Sequence, residues 1–274
     1  MKLQPITRPI IFSVGFLVAL AVYVLNVKTQ ILPIYTLYTA FPVAAALIGL
    51  YTSSIYGFNS ANGRAILLIT GGLVCWGMAE TIGYVSDNFI TAPTMDPQIS
   101  DFFFLIAYPI FGAGVYQGFI AAEIKLKQIN KSLLTAVLSA SLVLTAWVAY
   151  FGVYQAYDPT VDLLKNAVNI GYGVGDLILV IVSTLMILVA EEYGNGKLAA
   201  FWKTMALGFF VFLIGDILYF TMYWEQYSKD LKPYVYIDLL WTAAYTVLAY
   251  GVLENYLHIF EVQNKIRLKL QQRQ

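Results

Sequence analysis

Eight stretches of mostly apolar residues, joined by short polar connections, constrain this chain more than any other feature. They fall at 9–27, 34–56, 65–85, 101–122, 132–154, 163–190, 199–223 and 234–258. A helix needs about 20 such residues to cross the hydrocarbon core of a bilayer. Inside that core each backbone N–H and C=O must be satisfied within its own segment, so apolar runs of this length read as helices. The longest connection, SDNFITAPTMDPQIS at 86–100, is polar and proline-containing and reads as a loop. No soluble domain remains. The expected fold class is an all-α integral membrane protein with eight transmembrane helices, multi-pass in the cell membrane.

Charge content agrees. Only 12% of residues are charged and the mean hydropathy is +0.70, against about 25% charged in a soluble domain. Sixteen basic and sixteen acidic residues leave no basic footprint for nucleic acid. Cys75 is the single cysteine, so no internal disulfide forms, and His258 is the single histidine. The usual zinc and haem sites are therefore not expected, and neither is a cofactor. The first run follows Lys2 and Arg8 as a signal peptide would. It is long and lacks a small-residue cleavage pattern, so it reads as an uncleaved first span.

Lys and Arg set the orientation. With eight spans both termini share a side. That side holds twelve: Lys2, Arg8, Arg64, Lys125, Lys127, Lys131, Lys197, Lys203, Lys265, Arg267, Lys269 and Arg273. The other side holds four: Lys28, Lys165, Lys229 and Lys232. Both termini are expected in the cytoplasm. The external connections then carry Asp87, Asp96, Asp158, Asp162, Glu225 and Asp230. The tail at 263–274 is a basic amphipathic stub suited to the inner membrane surface or to a partner.

Spans four and eight share a pattern. Asp101, Phe104, Ala107, Tyr108 and Gly114 match Asp238, Trp241, Ala244, Tyr245 and Gly251. In the preceding spans Gly72 and Glu80 match Gly208 and Asp216. Phe41-Pro42 matches Tyr172-Gly173 more weakly. Two tandem four-helix halves follow, 1–128 and 129–262. Four is even, so the halves point the same way, related by a pseudo-twofold axis along the membrane normal.

Acids inside spans are costly, about 3 kcal/mol for a central Asp on insertion scales. They usually face the bundle interior with partners. Glu80, Asp101, Asp176, Asp216 and Asp238 are such acids, and a rise of about 1.5 Å per residue places all five in the middle or outer part of the membrane. Aromatic residues share their helix faces: Trp76 and Tyr84 with Glu80, Tyr108 with Asp101, Tyr219 with Asp216, Trp241 and Tyr245 with Asp238. An outward-facing ligand- or ion-binding cavity built from Glu80, Asp101, Asp176, Asp216, Asp238, Tyr108, Tyr245, Trp76 and Trp241 is expected. Asp101 and Asp238 also fit a plain role as helix-start groups that complement the dipole.

Other motifs carry less. The GVGD at 173–176 fits the G-x-G-D pattern of intramembrane aspartyl proteases, which need a second aspartate on a facing span. The Y-D at Tyr157-Asp158 lies in a loop, and no P-A-L element is present. No lysine sits mid-span to hold a retinal. The pattern is loosely similar to lysoplasmalogenase-type membrane hydrolases, without their histidine beside the acid.

A better resemblance rests on W-x3-E at 76–80, SDFFFLIAYPIFGAG, GYGVGDLILV, GDILYF and YIDLLWTAAY. These elements, spanning most of 65–255, resemble the polytopic membrane module found ahead of GGDEF or histidine kinase domains in bacterial and archaeal signalling proteins. The resemblance implies a sensory input module with no catalytic residues in the membrane part. Gln274 stands where an output domain would begin, so signalling would run through a partner. The expectation is a non-catalytic sensory, binding or scaffold module, with membrane lipids and a membrane or cytoplasmic-face protein as partners. The alternative is a small transporter or channel that uses the carboxylates for cations or protons. An intramembrane hydrolase ranks third.

Overall fold

The computed structural model describes Val14, Leu17, Ala21 and residues 32–57, 59–89, 97–124, 129–226 and 232–272. Apart from those first three residues, the expected span at 9–27 lies outside the described residues. So do Lys2, Arg8, Lys28, Asp96, Lys125, Lys127, Lys229, Asp230 and Arg273, and the side chains of Asp87, Glu225 and Lys232.

Seven long helices make up the described chain: α1 (Leu32–Tyr56), α2 (Ala61–Phe89), α3 (Ile99–Ala121), α4 (Lys131–Val148), α5 (Leu163–Glu192), α6 (Lys197–Gln226) and α7 (Lys232–Gln271). No strand occurs among the described residues. Helices α1 to α6 each contain a stretch long and apolar enough to cross a membrane. The surface agrees with lipid rather than water. Leu142 on α4 is 71% exposed, with Leu138 and Val143 beside it, and a soluble protein does not leave such a face open.

The polar caps follow from residue chemistry. Asn130 Oδ1 accepts from the N–H of Ser132 at 2.9 Å at the start of α4, and Asp162 Oδ1 accepts from Lys165 N–H at 2.9 Å at the start of α5. Helices α1 and α5 both stop at a Tyr-Gly pair. Gly57 and Gly194 take φ of +76° and +64°, a left-handed turn that glycine adopts without steric cost. Helix α4 winds into a π-helical segment, Ala149–Tyr154. Helix α7 runs unbroken through the tail to Gln271, so the basic stub is a continuation of the last helix as far as it is described. Lys197 at the start of α6 pairs with Glu261 on that continuation at 2.9 Å, an exposed bridge worth no more than about 1 kcal/mol.

Six helices close a ring in the order α1, α2, α3, α5, α6, α7 and back to α1, with α4 outside it against α5. Small residues set the closest approaches, as in other membrane bundles. Gly72 on α2 takes the ring of Phe111 on α3, and Gly208 on α6 takes Leu248 on α7. Gly114 on α3 lies on the backbone of Ile69 of α2, and Gly251 on α7 lies on Thr204 and Met205 of α6. The centre of the ring is aromatic. Trp76 stacks on Phe212 with centroids 4.2 Å apart and planes at 18°. Phe111, Phe209, Tyr108 and Tyr245 meet Trp76 edge-on.

Candidate functional site

The acids lie around this aromatic centre. Glu80 on α2, Asp176 on α5 and Asp216 on α6 are all buried, Asp176 to 1% exposure. Three of the acids receive a hydrogen bond from a ring donor on another helix. The Tyr245 hydroxyl of α7 donates to Glu80 Oε1 at 2.6 Å. The Trp241 indole N–H donates to Asp216 Oδ1 at 2.8 Å. The Tyr172 hydroxyl of α5 donates to Asp101 Oδ1 at 2.6 Å. Bonds to a carboxylate this short are of the charge-assisted kind, stronger than neutral ones.

Asp176 differs. Its carboxyl neighbours Asp216 and the Tyr108 hydroxyl, yet neither of its oxygens meets a donor in hydrogen-bonding geometry, and Asp216 Oδ2 likewise lacks one. The glycines of GVGD have packing duties here. Gly175 receives the face of Tyr108, and Gly173 sits on the backbone of Gly152 in the π segment. They let α3 and the end of α4 close on the turn of α5 that carries Asp176.

Of the expected site residues, Glu80, Tyr245, Trp76, Tyr108, Asp176, Asp216 and Trp241 come together at the centre of the ring. Asp101 stands one layer away. It is the third residue of α3 and accepts from Gln98 N–H at 2.6 Å, as a helix-start group does, while holding Tyr172 with its other oxygen. Asp238 is half-buried near the start of α7, its carbonyl accepting from the Thr242 hydroxyl at 2.8 Å. Asp158 takes no part. It is exposed in the α4–α5 connection, where the Thr160 hydroxyl and N–H hold its carboxyl below the usual range. The aspartate that faces Asp176 is Asp216.

Two participants lay outside the sequence-derived set. Tyr172 is one turn before Asp176 on α5, a spacing that could have flagged it. Phe212 shares a face with Asp216 but reveals its role only through contact with Trp76. The chain matches no family model, no curated protein and no solved structure.

Phenylalanine at position 245 keeps the ring packing and removes one donor. Tyr245→Phe should cost about 1–3 kcal/mol, the usual penalty for a buried polar group that loses its partner. Tyr172→Phe should cost less, because Asp101 keeps its backbone donor. Unfolding midpoints of the purified protein in detergent check the order.

Proposed function

We propose that this chain is an eight-span protein of the cell membrane with both termini in the cytoplasm, built from two tandem four-helix halves. It works as a non-catalytic sensory or binding module that acts through a partner. The repeat reading draws support from paired contacts at offsets that differ by one residue. Gly72–Phe111 and Gly208–Leu248 are such a pair, as are Gly114–Ile69 and Gly251–Met205. The offset is 136 residues for α2 and α6 and 137 for α3 and α7. Trp76 and Phe212, matched residues by this register, stack on one another where the pseudo-twofold axis would pass. The helix ends at Tyr56-Gly57 and Tyr193-Gly194 also differ by 137. They align α1 with α5 in that register, not through Phe41-Pro42 with Tyr172-Gly173.

One observation carries the functional reading: the Tyr245 to Glu80 bond joins the two halves across a buried aromatic core. A ligand or proton that changes a carboxylate's demand for its donor shifts the fit of one half on the other. That is how a binding event becomes a conformational one. A closed core of this kind supports a switch element more than an open catalytic pocket. The resemblance to modules ahead of GGDEF and kinase domains agrees with this reading. On this reading the partner meets the cytoplasmic end, where the continuation of α7 exposes Lys265, Arg267 and Lys269.

The adjacency of Asp176 and Asp216 favours a second reading, transport of protons or cations through intramembrane carboxylates. One experiment separates the two. The protein is reconstituted in vesicles of zwitterionic and anionic lipid. Tryptophan emission is followed across pH and added cations, together with a trapped pH dye. The sensory reading expects an emission change that is lost in Asp176→Asn and Asp216→Asn, without flux. Flux that depends on Asp176 replaces it with the transport reading.

A further inference from the structure

The carboxyl pair at the centre of the ring has more acceptors than donors. Asp216 Oδ1 is held by the Trp241 indole. Three oxygens are left without a donor in hydrogen-bonding geometry: Asp216 Oδ2 and both oxygens of Asp176. Asp176 is 1% exposed and Asp216 9%, so bulk water does not serve them. No basic side chain serves them either. Helix α3 carries no lysine, arginine or histidine, and Lys131 opens α4, 21 residues before Gly152. On α5 and α6 the nearest, Lys165 and Lys203, are 11 and 13 residues from Asp176 and Asp216. Helix α5 packs on α3, on α4 with its π segment, and on α6. From α3 comes the Tyr108 hydroxyl, with Asp101 a layer away on Tyr172. From the π segment nothing titratable faces Asp176, because Tyr150 and Tyr154 are exposed. From α6 comes Asp216, with Tyr219 beyond it against Trp241. Across the ring Tyr245 and Glu80 hold each other.

We infer that the ligand of this site is one proton, shared between Asp176 and Asp216, and not a metal cation. This names the ligand for the binding reading above and rests on that reading. An O–H between Asp216 Oδ2 and one oxygen of Asp176 gives a partner to two of the three oxygens. The Tyr108 hydroxyl, whose hydrogen turns about its C–O bond, is the neighbouring donor for the third. With no proton, two anions face each other in a water-poor site, which close carboxylates avoid. A second proton would discharge the acceptor that Trp241 donates to and weaken a charge-assisted bond. A cation fits less well. Calcium takes about six to eight oxygens, and the other acids of the site are engaged, Glu80 with Tyr245 and Asp101 with Gln98 and Tyr172. No group of three or more His, Cys, Asp or Glu among the described residues is placed to hold a metal ion. Loss of the proton would set Asp176 against Asp216. Asp216 is tied through Trp241 to α7, and Tyr245, four residues on, carries the bond to Glu80. The proton therefore acts on the joint between the halves through one helix turn.

Infrared difference spectra of the purified full chain in an ester-free detergent test this. A protonated carboxylic acid has a C=O stretch that carboxylates lack, and the band moves when hydrogen is exchanged for deuterium. The wild-type protein is expected to show such a band at neutral pH and to lose it as the pH is raised. Asp176→Asn and Asp216→Asn should each remove it completely, because an amide then donates where the proton did. Glu80→Gln should leave it in place. A band retained or halved in either asparagine variant would mean that the proton is not shared, and a band lost only in Glu80→Gln would place it on another carboxyl. Either result overturns the proposal. So does a wild-type band that sodium, potassium or calcium removes at constant pH, and so does the lack of any band. The wild-type pH and cation arms decide even where a variant fails to fold. Tryptophan emission from the same samples separates this proposal from the sensory reading. A band that titrates with no change in emission leaves the proton site standing and removes the switch. Emission that changes with pH beside a constant band leaves a switch and overturns the proton site.

Discussion

Replacing Asp176 by asparagine is expected to stabilise the protein by about 1–3 kcal/mol, the range for a buried polar group without a partner. The same change should abolish any pH- or cation-dependent change in tryptophan emission. The carboxyl is buried with no donor in hydrogen-bonding geometry and lies beside a second acid. Two carboxyls this close in a water-poor site cannot both carry charge, and neither finds a counter-charge among the described neighbours Tyr108 and Trp241, so they share a proton. An asparagine amide needs no proton to stay neutral and offers an N–H toward Asp216 Oδ2. Asp216→Asn should behave differently. Its amide oxygen still accepts from Trp241, but the charge that strengthens that bond is gone, so little net stabilisation is expected. Unfolding in mixed detergent at neutral pH measures both. A stability loss of more than about 1 kcal/mol in Asp176→Asn, larger than the net worth of an ordinary hydrogen bond, would mean that Asp176 makes a structural bond and would remove it from the proposed site.

The helices were legible because length and apolarity are local properties. The runs at 132–154, 163–190 and 199–223 became helices at Lys131–Tyr154, Leu163–Glu192 and Lys197–Gln226 with only end residues shifted. Helix α7 mixes the two signals. It carries Thr242, Tyr245, Thr246 and Asn255 on its buried face and runs on into the polar tail, yet its stretch at 235–252 is as apolar as the spanning stretch of α1. Side-chain partners were less legible. Spacing along one helix couples Trp241 to Asp238, three residues earlier, but the indole reaches Asp216 on α6. Spacing likewise couples Tyr108 to Asp101, whereas the hydroxyl lies by Asp176 on α5. A wheel diagram shows which residues share a face. It does not show what the face meets, because that depends on the order of helices around the ring. The bond from Tyr172 to Asp101 spans 71 positions and that from Tyr245 to Glu80 spans 165, and no local rule reaches so far.

Gly173→Ala is expected to lower stability more than any other single-methyl change on α5, by about 3 kcal/mol or more, the upper range for an overpacked site. A Cβ at this position would strike the carbonyl oxygen of Gly152. That oxygen belongs to the π segment, so relief requires backbone movement and not a rotamer change. Such movement would lift the end of α4 from α5 and disturb Phe220, which also sits against Gly152. Gly83→Ala on α2 is the matched comparison. Nothing lies within 4 Å of a Cβ there, so the change should be neutral or should stabilise by about 0.5–1 kcal/mol through helix propensity. The pair bears directly on GVGD. In an aspartyl protease reading its glycines serve the catalytic aspartate. Here the first admits the π segment and the second admits Tyr108, and both act by steric absence. If Gly173→Ala unfolds with Gly83→Ala, the π segment does not press on α5, and the closed surroundings described for Asp176 lose their outer wall. If it falls well below, the motif is a packing device that brings Asp176, Tyr108 and Asp216 into one place.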